Sequence, residues 1–385
     1  MTAEQDAQHE RLSTRAKWTV MIVLTLGALV LMLLAAEVAI RVRQTIRYGT
    51  ASTIDEYYTV DPKLGLRIPI ANMTKGHISI NSLGFRGPEI AVPTPPATVR
   101  IAYLGASTTW CAEVSGNEYV WPHIATASLA QAFPNRRFDY VNGGVPGYTV
   151  ASSLKNLELR VAPLQPDVVV IYEGINDLTG ELRDVAVRQG VISEAKEPEM
   201  LWVGRYSLLW KLVEKNLRVL ASERDARRNQ GRLKLDASSL GEQFRKELTH
   251  FVRVAQKDAK LVAVTTLATR VRPDQTPEQQ MSALSSAIFF MPFITAKDLI
   301  DAYARYNQII REVATDTGAL LIDGEDTILG DGTHFTDSVH FTDAGSRAMA
   351  ERVSRALIRG LAGQNVVGTV TPSSRDTRPG RTHGG

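Results

Sequence analysis

Cysteine is almost missing from this chain: Cys111 stands alone among 385 residues. That excludes an intrachain disulfide and any metal site built on several thiolates. It leaves the compartment open, because a protein without disulfides works in either redox environment. A charge surplus is missing as well, the formal net charge being +3. Such a balance supplies no broad positive field, and no nucleic-acid partner is expected. Internal repeats are absent, as is any H-E-x-x-H or similar ligand spacing, and neither a metal nor another cofactor is expected.

One long hydrophobic run is present. Residues 18–36 read WTVMIVLTLGALVLMLLAA without a charged side chain. At roughly 1.5 Å per residue such a run spans the hydrocarbon core of a bilayer. Trp18 lies at one edge, and Glu37, Arg41 and Arg43 close the other. A cleaved signal peptide is the competing reading, but the polar lead-in is long, the run exceeds a usual h-region and no A-x-A site follows. The segment reads as an uncleaved transmembrane anchor over 18–40. Its flanks do not orient it, since Arg11, Arg15 and Lys17 on one side match Arg41, Arg43 and Arg47 on the other.

The remainder divides by composition. A polar tail covers 1–17, and a Gly- and Pro-rich connecting segment over 41–97 is expected to pack on the main domain. That domain covers 98–363. Within it, short β-branched runs alternate with helical patterns: VRIAYLG at 99–105, FDYVNGG at 138–144, DVVVIYEG at 167–174, LVAVTTL at 261–267 and ALLIDG at 319–324. Continuous apolar runs of this length predict parallel strands covered on both faces. Helical patterns at 151–161 and 297–317 alternate with them, and the class is α/β, a doubly wound three-layer parallel sheet. An insertion over about 184–245 carries an apolar cluster at Leu208, Leu209, Trp210, Leu212 and Val213, and 281–295 contains AIFFMPFI. Either borders a cleft or, the reading preferred here, is ordinary helix packing. The tail over 364–385 has a disordered composition.

In an open α/β sheet, function sits beyond the carboxyl ends of the strands. The first run ends in Gly105-Ala106-Ser107, a tight turn that exposes a serine at the start of a helix. The second leads into Asn142-Gly143-Gly144-Val145-Pro146-Gly147, the third into Gly174-Ile175-Asn176-Asp177, and the last is followed by Asp337-Ser338-Val339-His340. Serine needs a base to become a nucleophile, histidine suits that role, and an aspartate three residues away can hold the imidazole in the right tautomer. The Ser107 N–H, the Gly147 N–H and the Asn176 amide are candidate donors to an oxyanion. A tandem unit, Asp331 and His334, is a decoy for Asp337 and His340, and the four residues together could be read as a metal set. Cys111, four residues after the serine, reads as a small buried filler.

These segments, GAST at Ser107, NGGVPGYT at Gly147, GIND at Asn176 and DSVH at Asp337 and His340, resemble the blocks of SGNH (GDSL-like) hydrolases, and INSLGFRG at 80–87 resembles the lead-in of membrane-anchored bacterial members. The resemblance covers about 78–360. It implies a flavodoxin-like fold and a serine esterase in which Ser107, Asp337 and His340 are catalytic and Ser107, Gly147 and Asn176 form the oxyanion hole. It prefers His340 over His334, because a helix with Gly345 follows it closely. It also implies a single-pass cytoplasmic-membrane protein with its catalytic domain periplasmic or otherwise extracytoplasmic, acting on an ester-bearing small molecule, glycan or lipid. An acyltransferase using the same triad, or a non-catalytic envelope-assembly protein with this fold, are the alternatives. One departure is Ala106, where the family's G-D-S has aspartate.

Overall fold

The structure, a computed structural model, describes residues 14–48, 51, 57–62, 64–193, 206–229 and 231–363. It forms two compact units, one drawn from residues 1–53 and 195–221, the other from 54–194 and 222–385. The tail over 364–385 lies outside the described residues.

Helix α1, Thr14–Tyr48, dominates the first unit. It is long and apolar enough to cross a membrane, and none of its most apolar window is buried. It continues beyond residue 40, because 37–48 contain neither Gly nor Pro and Glu37 and Arg41 pair at i,i+4 with 2.7 Å between them.

The second unit opens with two short hairpins, β1 (Tyr58–Asp61) with β2 (Leu66–Pro69) and β3 (Thr74–Lys75) with β4 (Ile78–Ser79). Then come β5 (Thr98–Gly105), α2 (Ser107–Trp110), α3 (Trp121–Ala132), β6 (Arg137–Asn142), α4 (Val150–Asn156), β7 (Val168–Tyr172) and α5 (Ile175–Arg188). Helix α6 (Leu208–Asn229) straddles the division between the units. The chain closes with α7 (Glu242–Ala255), β8 (Leu261–Thr265), α8 (Pro277–Ala283), α9 (Ser285–Phe290), α10 (Ala296–Thr317), β9 (Leu320–Ile322) and α11 (Asp343–Gly363).

Strands β5 to β9 are the five expected runs, and they form one parallel sheet in the order β6-β5-β7-β8-β9. Numbered from its own first strand this is 2-1-3-4-5, the flavodoxin-like order. Every residue of β7 and β8 is buried, as their unbroken apolar sequence requires. Helix α3 packs on α11, and α7 packs on both α4 and α10; the right-handed crossovers of parallel sheets place these two groups on opposite faces. The order reverses between β5 and β7, and that switch point opens a crevice at their carboxyl ends.

The segment before β5 does more than connect. Tyr57, Tyr58, Ile78 and Ile80 form a second apolar cluster with Ala106, Trp110, Val145 and Tyr148, on the turns that leave the sheet. Arg86 is fully buried beside it. Its Nη1 donates to the Trp110 and Cys111 carbonyls at 2.8 and 2.5 Å, and its Nε donates to Asn117 at 2.9 Å. Helix α2 has a single turn and ends at Cys111 in the left-handed conformation, so its last carbonyls need an outside donor. Arg86 supplies it. The sequence segment 80–87 is thus a brace for the turn that carries Ser107. Arg86→Ala is expected to lower unfolding stability by about 3 kcal/mol or more, since it strands two buried carbonyls that a charged donor had satisfied. Chemical denaturation measures this, and a change within about 0.5 kcal/mol, the usual surface effect, would contradict the bracing role.

Candidate active site

Ser107 is the first residue of α2, immediately past β5. The turn depends on Gly105, where a Cβ would lie 2.6 Å from the Tyr172 carbonyl and collide with the Thr109 side chain. Ala106 is buried in the apolar cluster of Tyr58, Trp110 and Val145, so the place of the family's aspartate is filled by hydrocarbon contact.

The Ser107 Oγ lies 2.8 Å from His340 Nε2, and His340 Nδ1 lies 2.7 Å from Asp337 Oδ2. The other Asp337 oxygen accepts from the Val339 and His340 backbone N–H groups, each at 2.9 Å. The loop is a tight reversal: Thr336 N donates to the His340 carbonyl at 2.9 Å, and buried Phe335 and Phe341 bridge at its base. Ser338 fastens its outer side, its Oγ donating to the Ala283 carbonyl at 2.6 Å and its N–H donating to Ser286 Oγ at 3.0 Å. The decoy pair makes its own contact, His334 Nδ1 to Asp331 Oδ1 at 2.8 Å, but it is His340 whose Nε2 meets Ser107.

Ser107, Gly147, Asn176, Asp337 and His340 all line one cavity of 380 Å³. The Ser107 N–H is among the α2 donors that have no acceptor within the helix. Gly147 has φ +85°, a conformation that side chains rarely adopt, and lets the backbone turn toward the cavity. Asn176 Nδ2 donates to the Tyr148 carbonyl at 2.7 Å. One of the two amide protons is therefore used to orient the group against the Gly147 loop, leaving the second for a ligand.

Behind these donors lie two carboxyl groups of unlike state. Glu173 is buried at the end of β7 and accepts from Ser153 Oγ in α4. Burial, and then the Asp177 charge, hold its pKa well above the usual carboxylate value. Asp177 accepts from the Val150 N–H at 3.2 Å, and burial lifts its pKa to about 6 against that hydrogen bond. Together they tie the start of α4, just after the Gly147 loop, to the β7 turn that bears Asn176.

The electrostatics of His340 are decided by competition. Burial pulls its pKa down, but the Asp337 hydrogen bond and the charges of Glu113 and Asp337 outweigh it and raise the value to about 9. Asp337 is pushed up by burial and pulled further down by its hydrogen bond to His340, the imidazolium charge and two backbone N–H groups, so it titrates below an ordinary aspartate. Cys111 is buried, and desolvation raises its thiol to about 12, which suits a filler better than a nucleophile.

Two wall residues, Glu113 and Tyr303, carried no signal in the sequence. Glu113 is exposed at the cavity; its loop is held by Ser115, whose N–H and Oγ donate to Asp343 at 2.8 and 2.6 Å. That contact joins residues 228 positions apart, which no local pattern announces. Tyr303, Phe290 and Met291 form an apolar wall. The run AIFFMPFI therefore divides: Phe293 and Ile294 are core, as ordinary packing requires, exposed Phe290 borders the cleft, and buried Met291 belongs to both.

The model of the GDSL-like Lipase/Acylhydrolase family matches residues 103–348. Similar solved structures include Axe2, an acetylxylan esterase from Geobacillus stearothermophilus, at 16% identity and a TM-score of 0.38 over 68% of this chain and 93% of that one. The acetyl xylan esterase AlAXEase is similar at 18% identity and a TM-score of 0.42 over 67% of this chain and 100% of that one. Comparison with curated protein sequences gave no match. With the family match running from within β5 into α11, the chain belongs to the GDSL-like lipase/acylhydrolase family and is a serine hydrolase of the esterase type.

Proposed function

We propose that this enzyme cleaves carboxylic esters through a Ser107 acyl-enzyme, with His340 as base and Asp337 as its orienting partner. The observation that carries the reading is the unbroken hydrogen-bond chain from Ser107 Oγ through His340 to Asp337, at 2.8 and 2.7 Å, facing a cavity with amide donors opposite. Ser107 Oγ attacks the ester carbonyl carbon while its proton passes to His340 Nε2. The carbonyl oxygen becomes an oxyanion that the Ser107 and Gly147 N–H groups and the free Asn176 amide proton stabilise. Collapse expels the alcohol, which takes the proton from Nε2, and water attacks the acyl-enzyme with the same base. The substrate we favour is a glycan O-acetyl ester of the cell envelope, with α1 an uncleaved anchor and the catalytic unit on the extracytoplasmic side. A long apolar α1 without buried surface supports the anchor.

Ser107→Ala and His340→Ala are each expected to lower kcat on an activated acetyl ester by about 10³-fold or more, by comparison with other serine triads. Near-normal turnover in Ser107→Ala would remove the mechanism. Asn176→Ala should cost about 10²–10³ in kcat as one oxyanion donor is lost. A series of acyl chain lengths tests the substrate: a rate that climbs toward long chains overturns the acetyl-ester reading.

The pH profile follows from the His340 balance. Only the neutral imidazole accepts the Ser107 proton, and its folded pKa is about 9. In the free enzyme kcat/KM should therefore rise with pH through a midpoint near 9. Glu113 contributes negative charge that favours the imidazolium. Glu113→Gln removes it, and the midpoint should move to lower pH. A midpoint that stays fixed in the variant would exclude Glu113 from the electrostatics of the base.

A further inference from the structure

The first unit contains a feature that ester cleavage does not use. Helix α6 begins where α1 leaves its uncharged run. Glu37, the residue after that run, accepts from Ser207 Oγ at 2.9 Å, from the Leu208 N–H at 3.1 Å and from the Leu209 N–H at 2.8 Å. One carboxylate from α1 thus caps the N-terminus of α6, where N–H groups lack intrahelical acceptors and the helix dipole favours negative charge. Arg41, one turn further along α1, pairs with Glu37 and donates to the Tyr206 carbonyl at 2.8 Å.

The surface of α6 is unlike that of a helix seated on a core. Trp210, Val213, Leu217 and Leu220 follow 3-4-3 spacing, so they form one stripe, and each is at least 36% exposed. Lys211, Lys215 and Arg218 fall at 4-3 spacing on the opposite side. An apolar stripe led by tryptophan and backed by a basic stripe is the pattern of a helix lying in a membrane interface. Between the two helices is a recess of 640 Å³ walled by Val30, Leu33 and Leu34 of α1 and by Leu209, Trp210 and Val213 of α6. Its α1 wall belongs to the segment read as spanning the bilayer, so the medium around it is hydrocarbon.

We propose that Glu37 clamps α6 to the exit end of the anchor helix, laying Trp210, Val213, Leu217 and Leu220 in the membrane interface, with a phospholipid acyl chain filling the recess between the helices. This rests on the reading of α1 as a membrane anchor. Continuity of the recess with the bilayer-spanning surface selects lipid over a second protein. The Lys211, Lys215 and Arg218 side chains, on the far stripe, face the headgroups and water.

The full-length protein is reconstituted in phosphatidylethanolamine–phosphatidylglycerol vesicles containing lipid brominated on upper acyl carbons. The Trp210 emission, taken as wild type minus Trp210→Phe, should lose most of its intensity to the bromines. In Glu37→Ala that quenching should be lost, while ester hydrolysis in detergent is unchanged. Glu37→Gln keeps an acceptor oxygen and should retain the quenching. Extraction with alkaline carbonate is the parallel measurement. Release of the protein by carbonate overturns the anchor and the inference together. Carbonate-resistant protein whose Trp210 escapes quenching overturns the inference alone, and quenching undiminished in Glu37→Ala overturns the clamp.

Discussion

The contact between Ser107 Oγ and His340 Nε2 joins the first strand end of the sheet to the last, across 233 residues. It can form only if β5 and β9 are parallel members of one sheet, with both chain exits at the same edge. The 2-1-3-4-5 order provides this and places the reversal of direction beside β5. Backbone and loops serve that meeting point. Gly105 permits the close turn, Arg86 closes the single-turn helix, and the Phe335–Phe341 bridge tightens the loop that returns the imidazole.

Charge is arranged with equal care around it. Four carboxyl groups stand near the cavity, and each has a different setting. Asp337, with several hydrogen bonds, titrates below an ordinary aspartate. Glu113 lies at the solvent-facing wall and acts on the imidazole through space. Asp177 sits at about 6, and burial holds Glu173 well above the usual carboxylate value. Identical chemistry is thereby divided into distinct tasks by burial and by the donors that each oxygen meets.

Much of this was legible in the sequence because parallel strands covered on both faces have to be written as unbroken apolar runs. The five runs appear as β5 to β9 with ends shifted by a residue or two. Residues at strand ends were legible for the same reason, since the fold class says where to look. What was not legible depends on contacts between distant segments. Nothing near Glu113 announces its place on the cavity wall, where its loop is held by the Ser115 hydrogen bonds to Asp343. Phe290 and Phe293 are three residues apart in one apolar run, yet one borders the cleft and the other is core. Helix α1 outlasts its uncharged run, which ends at Ala36, because helical backbone continues until its own bonds are broken.

The hairpins that precede the sheet have a consequence for what counts as the catalytic module. Tyr57, Tyr58, Ile78 and Ile80 shield Trp110, and Arg86 reaches under it, although none of these residues belongs to the sheet or its layers. A fragment beginning at Thr98 would retain Ser107, Asp337 and His340, yet would bare an indole and take the guanidinium donor from two carbonyls. The turn that carries Ser107 is thus held from both sides, by the sheet that delivers it and by a segment that begins some forty residues upstream, at Tyr57.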